Sequence, residues 1–111
     1  MPRDAKSDPA GIPLAPRDFL ILLILAEGPT HGYGVVTAAE RMTTAEVPLD
    51  PANLYRALRR MLRDGRVSKL DGEDQRTRFE LTALGREVLR AEVQRLDELL
   101  HRARPLLSEE G

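Results

Sequence analysis

The sequence predicts a mainly α-helical domain of the α+β class with one two-stranded β-hairpin. Four stretches have the length and apolar content of helices, and each is bounded by proline, glycine or a residue that caps helices. Between the third and fourth stretches, two short runs typical of strands flank a turn cluster that contains Asp71 and Gly72. Hydrophobic residues make up 41% of the 111 residues and charged residues 32%, so one small globular domain is expected.

The overall composition excludes several classes of function. The net charge is −1, so any affinity for nucleic acid requires positive charge that is gathered on one surface. There is no cysteine, which excludes disulfides, thiolate catalysis and cysteine metal sites. His31 and His101 lack the spacing of metal ligands, and no nucleophile–base or paired-carboxylate spacing is present. We therefore predict no cofactor, no metal and no enzymatic activity.

The first fourteen residues are rich in proline, aspartate and glycine, which predicts a disordered arm. A first helix is predicted over Pro16–Glu27 and contains the longest apolar run, Phe19–Ala26. This run is shorter than the ~20 residues of a membrane span, and no cationic leader precedes it, so a cytoplasmic, nucleoid-associated protein is expected. Because the run is apolar nearly all round, it should be the central buried element, as a helix or alternatively as a strand.

The second helix is predicted over His31–Met42, with Thr30 as its cap. Gly32 and Gly34 lie in its first turn although glycine is a poor helix former. Two explanations are open: the backbone approaches a phosphate at the helix N-terminus, or it packs tightly against the first helix. Tyr33 is expected to be a core aromatic residue with its hydroxyl at the surface.

The third helix is the most strongly marked element of the chain. Asp50 can cap it, Pro51 suits its first position, and Gly65 can end it in the left-handed conformation. Its apolar face consists of Leu54, Leu58, Met61 and Leu62. Its opposite face consists of Asn53, Arg56, Arg59, Arg60 and Arg63.

Two interpretations of this basic face compete. A row of arginines on a helix can simply be solvated, or it can lie along phosphates in a DNA groove. The second is favoured because Asp64 is the only carboxylate between Pro51 and Leu70. Asn53 also lies at the helix start, where a side chain can pair with the edge of an adenine.

The hairpin that follows the basic helix predicts a winged helix-turn-helix, in which the third helix enters the major groove. Its strands are predicted over Arg66–Leu70 and Arg76–Leu81. Side chains alternate along a strand, so Arg76 and Arg78 should face away from Phe79 and could contact phosphates. The acidic hairpin tip disfavours deep insertion into a groove.

The last helix is predicted from Ala83 to about Arg104, where Pro105 should end it, and Thr82 is its cap. Leu84 and Val88 should pack on the helix's own domain. A second apolar side, which predicts a homodimer through the same helix of another copy, consists of Leu89, Val93, Leu96, Leu100 and Ala103. The pairs Glu92–Arg95 and Glu98–Arg102 should support the exposed side. The predicted division is a disordered arm (1–14), a DNA-binding domain (15–81), and a dimerisation helix with a frayed tail (82–111).

Three segments resemble the PadR family of winged-helix transcriptional regulators. They are HGYGV at His31–Val35, PANLYRALRRMLRDGRV at Pro51–Val67 and RTRFELTALGREVL at Arg76–Leu89. The similarity covers roughly Pro16 to Arg104, and the single C-terminal helix resembles the smaller PadR subfamily. The resemblance implies a dimeric DNA-binding repressor that a small-molecule effector can release. By position it implies DNA contacts from Gly32, Tyr33, Asn53, Tyr55, Arg56 and Arg76.

Three points remain open from the sequence alone. Tyr55 is either a core aromatic residue or a hydroxyl that contacts a phosphate. For the effector, the chain has no tryptophan that could stack on a flat ligand. The near-neutral charge and the acidic hairpin tip are also compatible with a second function. That alternative is a winged-helix module that binds proteins and no DNA.

Overall fold

The computed structural model describes residues 11–42, 50–71 and 77–108, which form four helices and a three-stranded antiparallel sheet. In chain order the elements are α1 (Pro16–Ala26), β1 (Thr30–His31), α2 (Gly32–Met42), α3 (Pro51–Arg63), β2 (Val67–Asp71), β3 (Thr77–Leu81) and α4 (Ala83–Leu107). The predicted mainly helical α+β fold with a hairpin before the last helix is confirmed. The hairpin tip, Arg76 and most of the predicted N-terminal arm lie outside the described residues.

Helix α1 is the centre of the core, as its sequence predicts. Ile21 and Leu22 are completely buried, and Leu25 is almost so. The helix contacts α2, α4 and β3, so all three elements pack against the same apolar helix. Burying each large aliphatic side chain contributes about 1.5–3 kcal/mol relative to an exposed one, so this run is a major contribution to the stability of the fold.

A short strand that the sequence analysis did not predict lies between α1 and α2. Thr30 pairs with Phe79 of β3 and His31 with Arg78, so the sheet order is β1-β3-β2. The prediction of Thr30 as a helix cap and of a helix that begins at His31 is therefore corrected, because both residues are in the sheet. Two residues are too few to produce a periodic signal, and the pairing partner lies far along the chain.

The hairpin of β2 and β3 has the predicted position. Its register runs from Val67 opposite Leu81 to Asp71 opposite Thr77. Phe79 is buried and its neighbour Arg78 is exposed, as side-chain alternation requires. The sheet thus presents one apolar face to the helices and leaves Arg78 at the surface.

Helix α3 begins and ends where its sequence predicts. The Asp50 carboxylate accepts a hydrogen bond from the backbone N–H of Asn53 at 3.1 Å, and Pro51 occupies the first turn. Gly65 has φ +80°, the left-handed conformation that follows many helices. Leu54, Leu58 and Met61 are at most 1% exposed, so the apolar face is packed against the domain.

Helix α4 is longer than predicted. Thr82 caps it by accepting a hydrogen bond from the N–H of Gly85 at 3.0 Å. The helix continues through Pro105 to Leu107, which corrects the expectation that Pro105 ends it. A proline this close to the end removes one hydrogen bond to the preceding turn, and the N–H of Ser108 still reaches the carbonyl of Arg104 at 3.0 Å.

Glu92 of α4 is buried, although the sequence analysis expected it to support an exposed helix side. Its side chain is 2% exposed and forms a two-pronged ion pair with Arg95, with N–O distances of 2.8 Å. The backbone N–H of Leu14 donates to the same carboxylate at 3.1 Å. Leu14 is itself buried in the core, so this residue of the predicted arm packs with the domain.

The predicted dimer face of α4 divides into two parts. Leu89 is only 7% exposed and belongs to the domain's own core, so its assignment to the intermolecular face is corrected. Val93 and Leu100 are about half exposed, at 45% and 49%. Leu84, which was expected to pack on the domain, is 46% exposed. No helix in the described part of the chain is both long and apolar enough to cross a membrane.

Candidate nucleic-acid interface

The outer face of α3 is basic and accessible. Arg56, Arg59 and Arg63 are exposed, whereas Asn53 and Arg60 are half-buried. The helix is held by its buried side against α2 and β2, so these side chains are carried on a rigid support. In the described residues, none of the three exposed arginines forms a salt bridge.

Arg60 differs from its neighbours because an acid of α1 holds it. Its guanidinium donates to both carboxylate oxygens of Asp18, at 2.9 and 3.3 Å. These hydrogen bonds, opposed by partial burial, raise the pKa of Arg60 above its ordinary value. The predicted row of available cations is thus interrupted at one position. Sequence analysis missed Asp18, whose signal was a lone carboxylate at the start of a strongly apolar helix.

Asn53 is engaged at the start of α3. Its amide nitrogen donates to the second carboxylate oxygen of Asp50 at 2.7 Å. Its amide oxygen accepts a hydrogen bond from Arg56. Asp50, Asn53 and Arg56 therefore form a polar chain along the first turn, and contact with a base edge requires these side chains to exchange partners.

Gly32 and Gly34 are explained by close packing, but not against the first helix. A Cβ on Gly32 would lie 2.5 Å from the hydroxyl oxygen of Tyr55, and one on Gly34 would lie 2.3 Å from Oγ1 of Thr30. Neither distance leaves room for a side-chain carbon. The start of α2 is thus pressed against α3 through Tyr55, which links the two helices of the helix-turn-helix.

The two tyrosines have different environments. Tyr33 is 73% exposed, so the expectation that it is a core aromatic residue is corrected. Tyr55 is 40% exposed, with its ring and hydroxyl against Gly32. Both tyrosines line one open cavity, together with Arg59 of the basic helix.

This cavity, of about 700 Å³, lies between the start of α2, the helix α3 and the sheet. Its apolar part includes the ring of Phe79 and the side chains of Leu58 and Leu62. Cations line it as well: Arg59 comes from α3 and Lys69 from β2. The arrangement has the mixture of apolar surface and few polar groups that is typical of a small-molecule site.

Two further points of the sequence analysis concern Arg76 and metal ligands. Arg76 lies outside the described residues, so its predicted wing contact is not placed, whereas Arg78 beside it is exposed. Among residues 11–42, 50–71 and 77–108, no group of three or more histidines and carboxylates could hold a metal ion. The site is therefore defined by arginines, tyrosines and one half-buried asparagine.

Helix-turn-helix, hairpin and a long final helix define the winged-helix class, and comparison with known proteins gives the family. The family model described as "Transcriptional regulator PadR-like family" matches residues 21–91. The chain belongs to this family, which confirms the resemblance found in its sequence, and it has the fold of a transcriptional regulator.

Solved structures support the same fold. A PadR family transcription regulator from Clostridium difficile has a TM-score of 0.73 at 21% identity, with 85% of this chain and all of that chain (100%) covered. A PadR-like transcriptional regulator from Bacillus cereus has a TM-score of 0.71 at 21% identity, with 84% and 92% covered.

One curated relative is similar over part of its length. An uncharacterised 37.1 kDa protein of a Streptomyces fradiae transposon is 38% identical over 73 residues, which are 66% of this chain. The chain spans 21% of the length of that relative.

Proposed function

We propose that this protein is a sequence-specific DNA-binding transcriptional repressor that acts as a homodimer. The observation that carries the proposal is the division of α3 into a buried apolar side and an exposed side with Arg56, Arg59 and Arg63. A helix of this kind fits the major groove, where arginine reads guanine and also neutralises phosphates. The net charge of −1 makes this local concentration of arginine the source of any attraction to DNA.

The side chains of the interface divide into two roles. Asn53 and Arg56 lie in the first two turns of α3, the part of a recognition helix that contacts base edges. Arg59 and Arg63 follow one and two turns later and would contact backbone phosphates. Gly32, Tyr33 and Tyr55 would bring the start of α2 to the backbone, and Arg76 would contact it from the wing.

The proposed dimer forms through the projecting part of α4. Within the described part of this helix, no residue after Glu92 is buried, although several are large and apolar. Val93, Leu96, Leu100 and Ala103 follow the alternating spacing of three and four that two packed helices share. Leu107 continues that spacing at 79% exposure, and a second copy would cover the whole row.

Release by an effector would use the cavity of about 700 Å³ beside α3. Arg59, Tyr33 and Tyr55 line this cavity and are also proposed to face DNA. A small molecule with an apolar body and negative charge would be in contact with the same side chains as the duplex. Binding of the two would then be mutually exclusive, which is the simplest way for an effector to release a repressor.

Selection of bound duplexes from random sequence tests the proposal. A dimer should select two related half-sites about 34–36 Å apart, with a two-fold symmetric arrangement. Arg56→Ala should relax the preference at particular bases. Arg59→Ala/Arg63→Ala removes four proposed phosphate contacts from the dimer, so it should weaken binding to all duplexes and reduce the salt slope by about 3.6. Arg90→Ala/Arg102→Ala, which removes the same charge from exposed positions of α4, is the matched control.

One observation favours a second function, that of a protein-binding module. Arg60 is paired with Asp18, and Asn53 is engaged with Asp50, so fewer polar groups of α3 are free than its sequence suggested. Under this alternative the protein would show no salt-dependent affinity for any duplex, and a protein partner would bind with an affinity that is insensitive to Arg59→Ala/Arg63→Ala.

A further inference from the structure

A second cavity, separate from the aromatic one, lies on the other flank of α3. It has a volume of about 390 Å³ and opens between the first turn of α1 and the outer side of α3. Its lining is predominantly polar and consists of Arg17, Asn53, Arg56, Ala57, Arg59, Arg60 and Arg63. Five arginines from two helices therefore line one cavity.

Arg17 is the member of this group that lies outside the recognition helix. It is half-buried in the first turn of α1, and its Nε atom is buried without a hydrogen-bond partner in the described residues. A buried donor that lacks an acceptor is destabilising unless a ligand completes it. Arg17 and residues of α3 line the same cavity, so an acceptor bound there could contact both helices at once.

The charge of the cavity is strongly positive. Asp18 pairs with Arg60, so one of the five guanidinium groups is neutralised. In the described residues, Arg17, Arg56, Arg59 and Arg63 form no salt bridge. Asp18 also orients Arg60, because the hydrogen bonds to both of its carboxylate oxygens fix the plane of the guanidinium group. Such a set of planar, forked donors matches the oxygens of a phosphate.

We propose that this cavity binds a backbone phosphate of the duplex, held by Arg17 of α1 together with Arg60 and Arg63 of α3. The proposal rests on the proposed function, because it takes the phosphate from the DNA that α3 would enter. It extends the interface to the first helix, which the sequence analysis did not assign to DNA. A phosphate bound between two helices would fix the angle at which α3 enters the groove, and so Arg17 would contribute to affinity for every sequence alike.

Salt-dependent titration of duplexes tests the role of Arg17. Arg17→Ala should weaken binding to a selected and to a random duplex by the same factor, of roughly tenfold, and should reduce the salt slope by about 1.8, because the dimer carries two copies of Arg17. Arg17→Lys should preserve the slope and lose part of the affinity, because an ammonium keeps the charge without the fork. Arg102→Ala, at an exposed position of α4, is the matched control and should change neither quantity.

A second measurement separates the sources of the phosphate. Inorganic pyrophosphate is titrated into the wild type while the Arg17 Nε–H resonance is followed by NMR, and the duplex is titrated in the same way. Both should shift the Arg17 resonance, and the duplex should do so at the lower concentration. A shift with pyrophosphate in a protein that has no salt-dependent affinity for duplexes would reject the proposed function and assign the cavity to a free phosphate.

The opposite result would reject this inference alone. If the wild type binds duplexes with a steep salt dependence, and Arg17→Ala binds like Arg102→Ala, then the first helix does not contact the backbone. Circular dichroism reports whether Arg17→Ala folds. If Arg17→Ala does not fold, Arg17→Lys is the deciding variant. Loss of DNA affinity at an unchanged salt slope would support the forked contact of Arg17 with a phosphate, and unchanged affinity would overturn it.

Discussion

Both carboxylate oxygens of Asp18 on α1 accept hydrogen bonds from Arg60 on α3, although the two residues are 42 positions apart in the sequence. The carboxylate is almost buried, with a side-chain exposure of 12%, whereas the guanidinium is 39% exposed. The contact fastens the basic helix to the central helix of the core. It also subtracts one positive charge from the surface that is proposed to meet DNA, so a single ion pair influences both stability and binding.

We expect Asp18→Asn to have opposite effects on these two properties. Loss of the ion pair should lower the free energy of unfolding by about 1 kcal/mol, a modest value because Arg60 is partly solvated. Affinity for any duplex should rise and the salt slope should steepen, because the surface loses the carboxylate charge that offsets Arg60 and repels a phosphate. Urea denaturation and anisotropy titrations measure the two effects. A variant that binds DNA more weakly would show that the orientation of Arg60 by Asp18 matters more for binding than the positive charge that Asp18 offsets.

The lowered pKa of Glu92 predicts how the stability of the fold depends on pH. The pKa of Glu92 is lowered mainly by the hydrogen bonds from Arg95, and burial of the carboxylate opposes this effect. The hydrogen bond from the Leu14 N–H lowers the pKa further. The folded state therefore binds a proton less readily than the unfolded state, where the pKa is about 4.3. The stabilisation is complete above that value and is lost as pH falls through the lower pKa of the folded state.

Glu92→Gln should remove this pH dependence along with part of the stability. At neutral pH the variant should be less stable by about 2 kcal/mol, because a buried carboxylate that accepts charged hydrogen bonds is replaced by a neutral amide. Between pH 5 and pH 3 its unfolding free energy should change less than that of the wild type, as followed by urea denaturation. The exposed Glu98→Gln is the control. Parallel pH profiles for wild type and Glu92→Gln would contradict the assignment.

Two glycines should differ in their tolerance of a methyl group. A Cβ on Gly85 would lie 2.1 Å from the backbone carbonyl oxygen of Arg66, which can move only if β2 moves with it. A Cβ on Gly32 would meet the side chain of Tyr55. We expect Gly85→Ala to cost about 3 kcal/mol or more and Gly32→Ala about 1–2 kcal/mol.

Removal of the tyrosine ring provides the check on Gly32. In a double-mutant cycle measured by thermal unfolding, Tyr55→Ala should relieve most of the penalty of Gly32→Ala, because the clash partner is gone. No such rescue is expected for Gly85→Ala in the same background. Additive effects of Gly32→Ala and Tyr55→Ala would mean that the two residues are not in contact.

The projecting part of α4 should determine the oligomeric state. Leu96→Glu/Leu100→Glu places two charges within the proposed intermolecular row and should yield a monomer by light scattering. Its affinity for a two-half-site duplex should fall by at least about 100-fold, since each half-site would have to be bound separately. Leu84→Glu, at a similarly exposed position near the start of α4, should remain a dimer. A dimeric double variant would locate the interface elsewhere.

Sequence alone predicted the elements whose signals are local. The caps Asp50 and Thr82, the left-handed Gly65, and the apolar face of α3 each depend on residues within a few positions of one another, and the structure has them where expected. The hairpin and its place before the last helix follow from the same kind of pattern. Such features could be predicted because capping, turn geometry and periodicity act within a single turn or strand.

What only the tertiary structure decided is which side chains are free. Periodicity assigned Arg60 and Glu92 to exposed faces, yet Asp18 holds the first and the Leu14 N–H and Arg95 surround the second. A helical pattern gives the angle between side chains on one rod, but burial depends on what another part of the chain brings against that rod. For the same reason, the cavity that joins Arg17 to the basic helix became visible only when α1 and α3 were seen side by side.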